Sequence, residues 1–146
     1  MSKLLSIVLF LLAIAALSVL KLMNSAPHSA QVNITDDEIE KALAQTSDLL
    51  NKQLPMMVDS VTRLDKTFIG AGKRLIFYYV ILSHSGSAFS ADELRSDLYP
   101  TVKQKSCSSP VLAALMKNGV KFEHIYHYNN GNEATRVVIV SADCGT

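Results

Sequence analysis

Lys73 to Leu82 reads Lys-Arg-Leu-Ile-Phe-Tyr-Tyr-Val-Ile-Leu, the longest β-branched, aromatic and aliphatic run outside the N-terminus. Such a run is a strand, and a strand apolar on both sides is an interior one that needs neighbours at both edges and cover on its faces. Leu75, Phe77, Tyr79 and Ile81 point one way, and Arg74, Ile76, Tyr78, Val80 and Leu82 the other. The rest of the folded region must supply what this strand lacks.

The flanking sequence predicts how. Thr35-Asp36-Asp37-Glu38 is a capping box, in which Thr35 caps and Glu38 reaches back. It opens a helix that stops before Pro55, with Ile39, Leu43, Leu50 and Leu54 on its apolar face. The acidic run at its start reads as a solvated face. Met56 to Phe68 reads as one strand, and Ile69-Gly70-Ala71-Gly72 as a turn joining it to the central strand in a hairpin. Ser90-Ala91-Asp92-Glu93 is a second capping box, and Pro100 is expected to kink or split the helix that follows. Ser109-Pro110 starts a third helix ended by Gly119. Val120 to Tyr128 and Glu133 to Ser141 form a second hairpin around Asn129-Asn130-Gly131-Asn132. The predicted fold is α+β: a four-stranded antiparallel sheet of two hairpins, with helices packed mainly on one face.

The N-terminus is an address. Leu4 to Leu20 is 17 residues without a charge, bounded by Lys3 and Lys21. A signal peptide carries an apolar region of about 7–15 residues and a spanning helix about 17–25. Lys21 can snorkel and extend the run through Met23. No small-x-small cleavage site follows closely. Residues 1–23 are therefore expected to be a transmembrane anchor or signal segment, 24–34 a linker, and 35–146 an exported domain. The basic start places the N-terminus inside the inner membrane and the domain in the periplasm. Release after cleavage, as a soluble periplasmic or secreted protein, is the alternative.

Without Lys3 and Lys21 the chain carries 12 Lys and Arg against 13 Asp and Glu, so no basic surplus argues for a nucleic-acid partner. Two cysteines cannot make a four-ligand zinc site, and Cys107 and Cys144 are too far apart for a C-x-x-C motif. Outside the cytoplasm they are expected to form one disulfide. Closing a loop of this length stabilises by roughly 4 kcal/mol on the chain-entropy model.

His124 and His127, three apart on a strand, face opposite sides and do not share an ion. Gly70-Ala71-Gly72-Lys73 lacks phosphate-loop spacing and precedes a strand. No catalytic residue, metal site or cofactor is expected. Tyr78, Tyr126 and Tyr128 are the candidate binding surface, an aromatic groove for a peptide or small ligand; core packing is the bland alternative.

Several of these residues form a pattern: Pro55-x-x-Val58-Asp59-x-x-Thr62-x-Leu64, then Leu75 to Tyr79, then one cysteine, Gly119-Val120, Tyr126-x-Tyr128, Gly131 and Asp143-Cys144. The pattern, over about residues 35–144, resembles a recurring type of small exported protein of Gram-negative bacteria. The resemblance implies an envelope location and one disulfide, and brings no activity and no site residues. The leading expectation is a non-enzymatic, membrane-anchored periplasmic domain that binds a protein or peptide partner. An inhibitor or immunity-type protein, using a projecting loop such as Ser83 to Ser90, is the second. An enzyme with a dispersed site is the third.

Overall fold

The computed structural model describes residues 35–83 and 89–145. The expected anchor, residues 1–23, and the linker, residues 24–34, lie outside the described residues. Among those described, no helix is long and apolar enough to cross a membrane.

Helix α1 spans Asp36–Asn51, and both halves of its capping box form: the Glu38 amide donates to Thr35 Oγ1, and the Thr35 amide donates to the Glu38 carboxylate. Strands β1 (Met56–Met57), β2 (Thr62–Gly70) and β3 (Arg74–Ile81) follow. Helix α2 (Ala91–Ser108) opens with the Ser90–Glu93 box, and α3 (Pro110–Lys117) opens with the Ser109 cap. Strands β4 (Lys121–Tyr128) and β5 (Glu133–Ile139) and a 3-10 helix at Ser141–Cys144 follow. Pro100 lies inside α2, which continues through it without splitting.

The sheet corrects the sequence expectation. It has five strands in the order β1-β2-β3-β4-β5, and it is mixed: β3 and β4 are parallel, while the other neighbours are antiparallel. Two physical causes account for the difference. The stretch Met56 to Phe68 is not one strand, because the Asp59 carboxylate accepts from the amides of Val61 and Thr62 at 2.8 and 2.7 Å. This Asx-type turn folds the chain back, so that Met56 pairs with Leu64 and Met57 with Arg63. The two hairpins are also joined by α2 and α3, a connection long enough for a parallel crossover.

The main core lies between the helices and one face of the sheet. Leu75, Phe77, Tyr79, Phe122, Tyr126, Tyr128, Val137 and Ile139 meet Ile39, Leu43 and Leu50 of α1, Val102 of α2 and Met116 of α3 there. Helix α1 packs on β2, and α2 on β5. The free edge of β2 beyond the short β1 is closed by Asn51 of α1. Its amide group accepts from the Thr67 N–H at 2.7 Å and donates to the Thr67 carbonyl at 2.8 Å. An edge strand's backbone is thereby kept from pairing with another chain at this point.

Candidate functional site

The residues of β2 to β5 that point away from the helices form a second face. Two of them, Ile76 and Ile125, are buried yet stand outside the main core. Register aligns this face in rows across the sheet. Gly70, Arg74 and Lys121 make the first row, and Phe68, Ile76, Glu123 and Val138 the second. Lys66, Tyr78, Ile125 and Arg136 make the third, and Arg63, Val80, His127 and Glu133 the fourth. No described helix contributes to the packing of these rows. Phe68 and Val138 remain 40% and 39% exposed at the two ends of the second row. Neighbouring strands lie about 4.8 Å apart, so these two apolar side chains stand roughly 14 Å apart.

The polar groups of the face are organised around Glu123, which is only 2% exposed. Arg74 donates to one of its oxygens at 2.9 Å and Arg136 to the other. A buried carboxylate is costly unless paired and hydrogen-bonded, and here both oxygens are occupied. Arg136 also binds Glu133, whose carboxyl is held below its ordinary range by that hydrogen bond. Gly70 makes room for the arrangement: a Cβ there would come within 2.8 Å of Ile76 Cδ1 and 3.1 Å of Arg74 Nε. Lys66 lies 4.8 Å from the centre of the Tyr78 ring, within cation–π reach, and the ring stacks on His127 at 4.2 Å. Burial pushes the His127 imidazole below its ordinary pKa.

The face carries five cations, Arg63, Lys66, Arg74, Lys121 and Arg136, against three carboxylates, Glu123, Glu133 and Asp65, the last counted there because it is paired with Arg63. The other charged side chains of the described residues run the opposite way, seven cations against ten carboxylates. Lys66 and Lys121 form no ion pair among the described residues.

The tyrosines singled out from sequence do not share one surface. Tyr78 is half-buried on the helix-free face. Tyr126 and Tyr128 are buried at 6% and 9% on the helix side. Tyr126 stacks on Tyr79 at 4.6 Å, and burial raises the pKa of both phenols. The Tyr79 hydroxyl lies 3.1 Å from His124 Nδ1, while His124 Nε2 is buried without a partner. Burial depresses the His124 pKa to about 3, so the ring is neutral. His124 and His127 fall on opposite faces. Among the described residues no group of three or more metal-ligating side chains comes together.

Cys107 and Cys144 are bonded, with their α-carbons 5.3 Å apart. The bridge ties the end of α2 to the 3-10 helix, beside the 2.7 Å hydrogen bond from the Tyr99 hydroxyl to Asp143. A shallow depression of about 420 Å³ opens there, lined by Pro100, Lys103, Cys107 and Asp143. The loop proposed for an inhibitor falls mostly on residues 84–88, outside those described.

Sequence reasoning missed Phe68, Lys66, Lys121, Arg136 and Val138 as neighbours of Tyr78. Strand alternation placed Arg74, Ile76, Tyr78 and Val80 on one side, but the rows depend on the parallel pairing of β3 with β4. The signal that could have found them was the run of helices between two strong strands, the pattern of a parallel crossover.

The fold is similar to that of solved structures. A protein of Pseudomonas aeruginosa assigned as secreted matches with a TM-score of 0.63 at 14% identity, over 80% of this chain and 99% of its own. EpsS, a pilotin from the type 2 secretion system of Vibrio vulnificus, matches with a TM-score of 0.61 at 14% identity, over 75% of this chain and 94% of its own. AspS, the type II secretion system pilotin of Vibrio cholerae, matches with a TM-score of 0.57 at 10% identity, over 74% and 94%. At these identities the likeness is one of fold. No protein-family model matches the chain, and no curated protein sequence does.

Proposed function

We propose that this chain is an exported envelope protein whose folded domain is a non-enzymatic binding module for a protein or peptide partner, engaged through the helix-free face of the sheet. The observation that carries the reading is the set of rows on β2 to β5. Apolar side chains at the two ends of a row flank an ordered network of arginines and a buried glutamate, and no described helix lies over them. Apolar contacts combined with hydrogen-bonded polar groups held in fixed positions are what a specific protein interface uses. The fold shared with two pilotins and with a protein assigned as secreted supports an envelope role. The apolar run at residues 4–23 supports export, with retention at the inner membrane and the domain in the periplasm. Tyr78 belongs to the proposed surface; Tyr126 and Tyr128 support it from beneath.

The test is recovery of the tagged full chain from chemically cross-linked cell envelopes, compared with a Phe68→Asp, Val138→Asp variant that keeps its disulfide and its thermal transition. A protein partner recovered with the parent chain and lost with the variant is the expected result. A partner retained equally by both, or none recovered with the parent, refutes the reading.

A further inference from the structure

We infer that the partner presents an acidic, apolar-striped polypeptide segment to the helix-free face; the inference rests on the binding role proposed above and names the chemistry of what binds. Arg74 and Arg136 share a single buried carboxylate, Glu123, so the pair is only half neutralised by it. Arg136 finds a second carboxylate in Glu133, at the margin of the face. Lys66 and Lys121 are exposed and make no ion pair among the described residues. The result is a face with two more cations than carboxylates on a domain that otherwise carries three more carboxylates than cations. Phe68 and Val138 sit at the ends of the row between these cations, each about 40% exposed. A partner with carboxylates flanking an apolar stripe satisfies both features, while a basic partner would meet like charge.

The same face also suits an anionic bilayer in general terms, since cations beside an exposed aromatic ring bind lipid headgroups. The geometry favours a polypeptide. Asp65, Glu123 and Glu133 stand among the cations of the face and leave an excess of only two, fewer than the basic clusters that hold a diffuse anionic surface. Lys66 and Lys121, the cations without an ion pair among the described residues, lie on either side of the row that ends in Phe68 and Val138, so discrete carboxylates beside an apolar stripe match this face.

The experiment replaces Phe68 with the photoreactive benzoylphenylalanine in the full chain and irradiates intact envelopes of the producing cells. Mass spectrometry then identifies the attached segment. The expected adduct is a polypeptide with Asp or Glu residues within a few positions of an apolar attachment point. The Lys66→Glu, Lys121→Glu variant should reduce its yield at least ~10-fold, as should raising salt from about 50 to 500 mM in isolated envelopes. The salt series on the parent chain decides the matter if the double variant does not fold. An adduct with a neutral or basic segment, or one indifferent to both charge reversal and salt, overturns the inference and leaves the binding role standing. An adduct with lipid alone overturns the inference in favour of a bilayer. No adduct at all removes both the inference and the binding role at this face.

Discussion

Glu123 shows how far one side chain can organise a surface. It is buried on a sheet face that no described helix covers, because two half-exposed arginines reach across it. Glu123→Ala should cost about 2–3 kcal/mol in urea denaturation, the range for hydrogen bonds to a charged group. Arg74→Ala should cost less, about 1 kcal/mol, since Arg136 still holds the carboxylate. Equal losses from the two substitutions would mean that the pairing is not centred on Glu123. His124 makes a second test of the same kind on the other face. Its folded pKa lies near 3, depressed by burial, whereas an unfolded histidine titrates near 6.5. Below pH 6.5 the unfolded chain therefore binds a proton that the native chain refuses. The neutral ring's contribution is complete above that pH and is lost as pH falls toward 3, at up to about 1.4 kcal/mol per pH unit. His124→Phe should remove that slope between pH 6.5 and 4.5, read as the difference between variant and parent stability curves. Unchanged curvature would show that His124 is protonated in the native state. At this scale much was legible. Both capping boxes form as the residues indicate. The acidic start of α1 departs from a purely solvated face at one position, because Asp36 meets Lys73 at 2.8 Å. Burial split the tyrosines, and alternation within one strand could not foresee that Tyr78 faces away from Tyr126 across a parallel pair.

Between elements, local patterns gave the helices and most of the strands, and failed where the answer depended on which strands meet. Alternation in Met56 to Phe68 continues smoothly through Asp59, but the hydrogen bonds of that side chain turn the chain at that point. Parallel pairing of β3 and β4 is a long-range fact that a hairpin-by-hairpin reading does not reach. The long-range link that was legible is the disulfide, since two cysteines have one pairing available. It joins the α2–α3 junction to the 3-10 helix, where Tyr99 and Asp143 already make contact. Cys107→Ser and Cys144→Ser should each lower stability by roughly 2–5 kcal/mol, and the double variant by no more than either, because losing one sulfur removes the whole bond. Thermal or urea unfolding of the three variants checks this, and losses that add would mean that the two thiols act separately.

Among the described residues the charges separate: carboxylates outnumber cations on and around the helices, and cations outnumber carboxylates on the helix-free face. That polarity matters most if the domain is held at one place in the envelope, and residues 4–23 are the segment expected to hold it. An unbroken apolar stretch of 17 residues, extendable to Met23 by snorkelling of Lys21, exceeds the apolar core of a typical cleaved signal. The segments that follow, Asn24-Ser25-Ala26 and His28-Ser29-Ala30, place a large polar residue where a signal peptidase needs a small one. The mature protein is therefore expected to keep its N-terminus and to sediment with membranes through salt and carbonate washes. The 11 residues expected to form its linker, 24–34, would span at most about 40 Å if fully extended. The domain would then search for partners within a thin layer beside the membrane, at an effective concentration set by that tether. Intact-mass measurement of the protein from its own cells decides the point. A chain that begins near Gln31 would show cleavage and a freely diffusing domain, and the partner would then have to bind without the help of a tether.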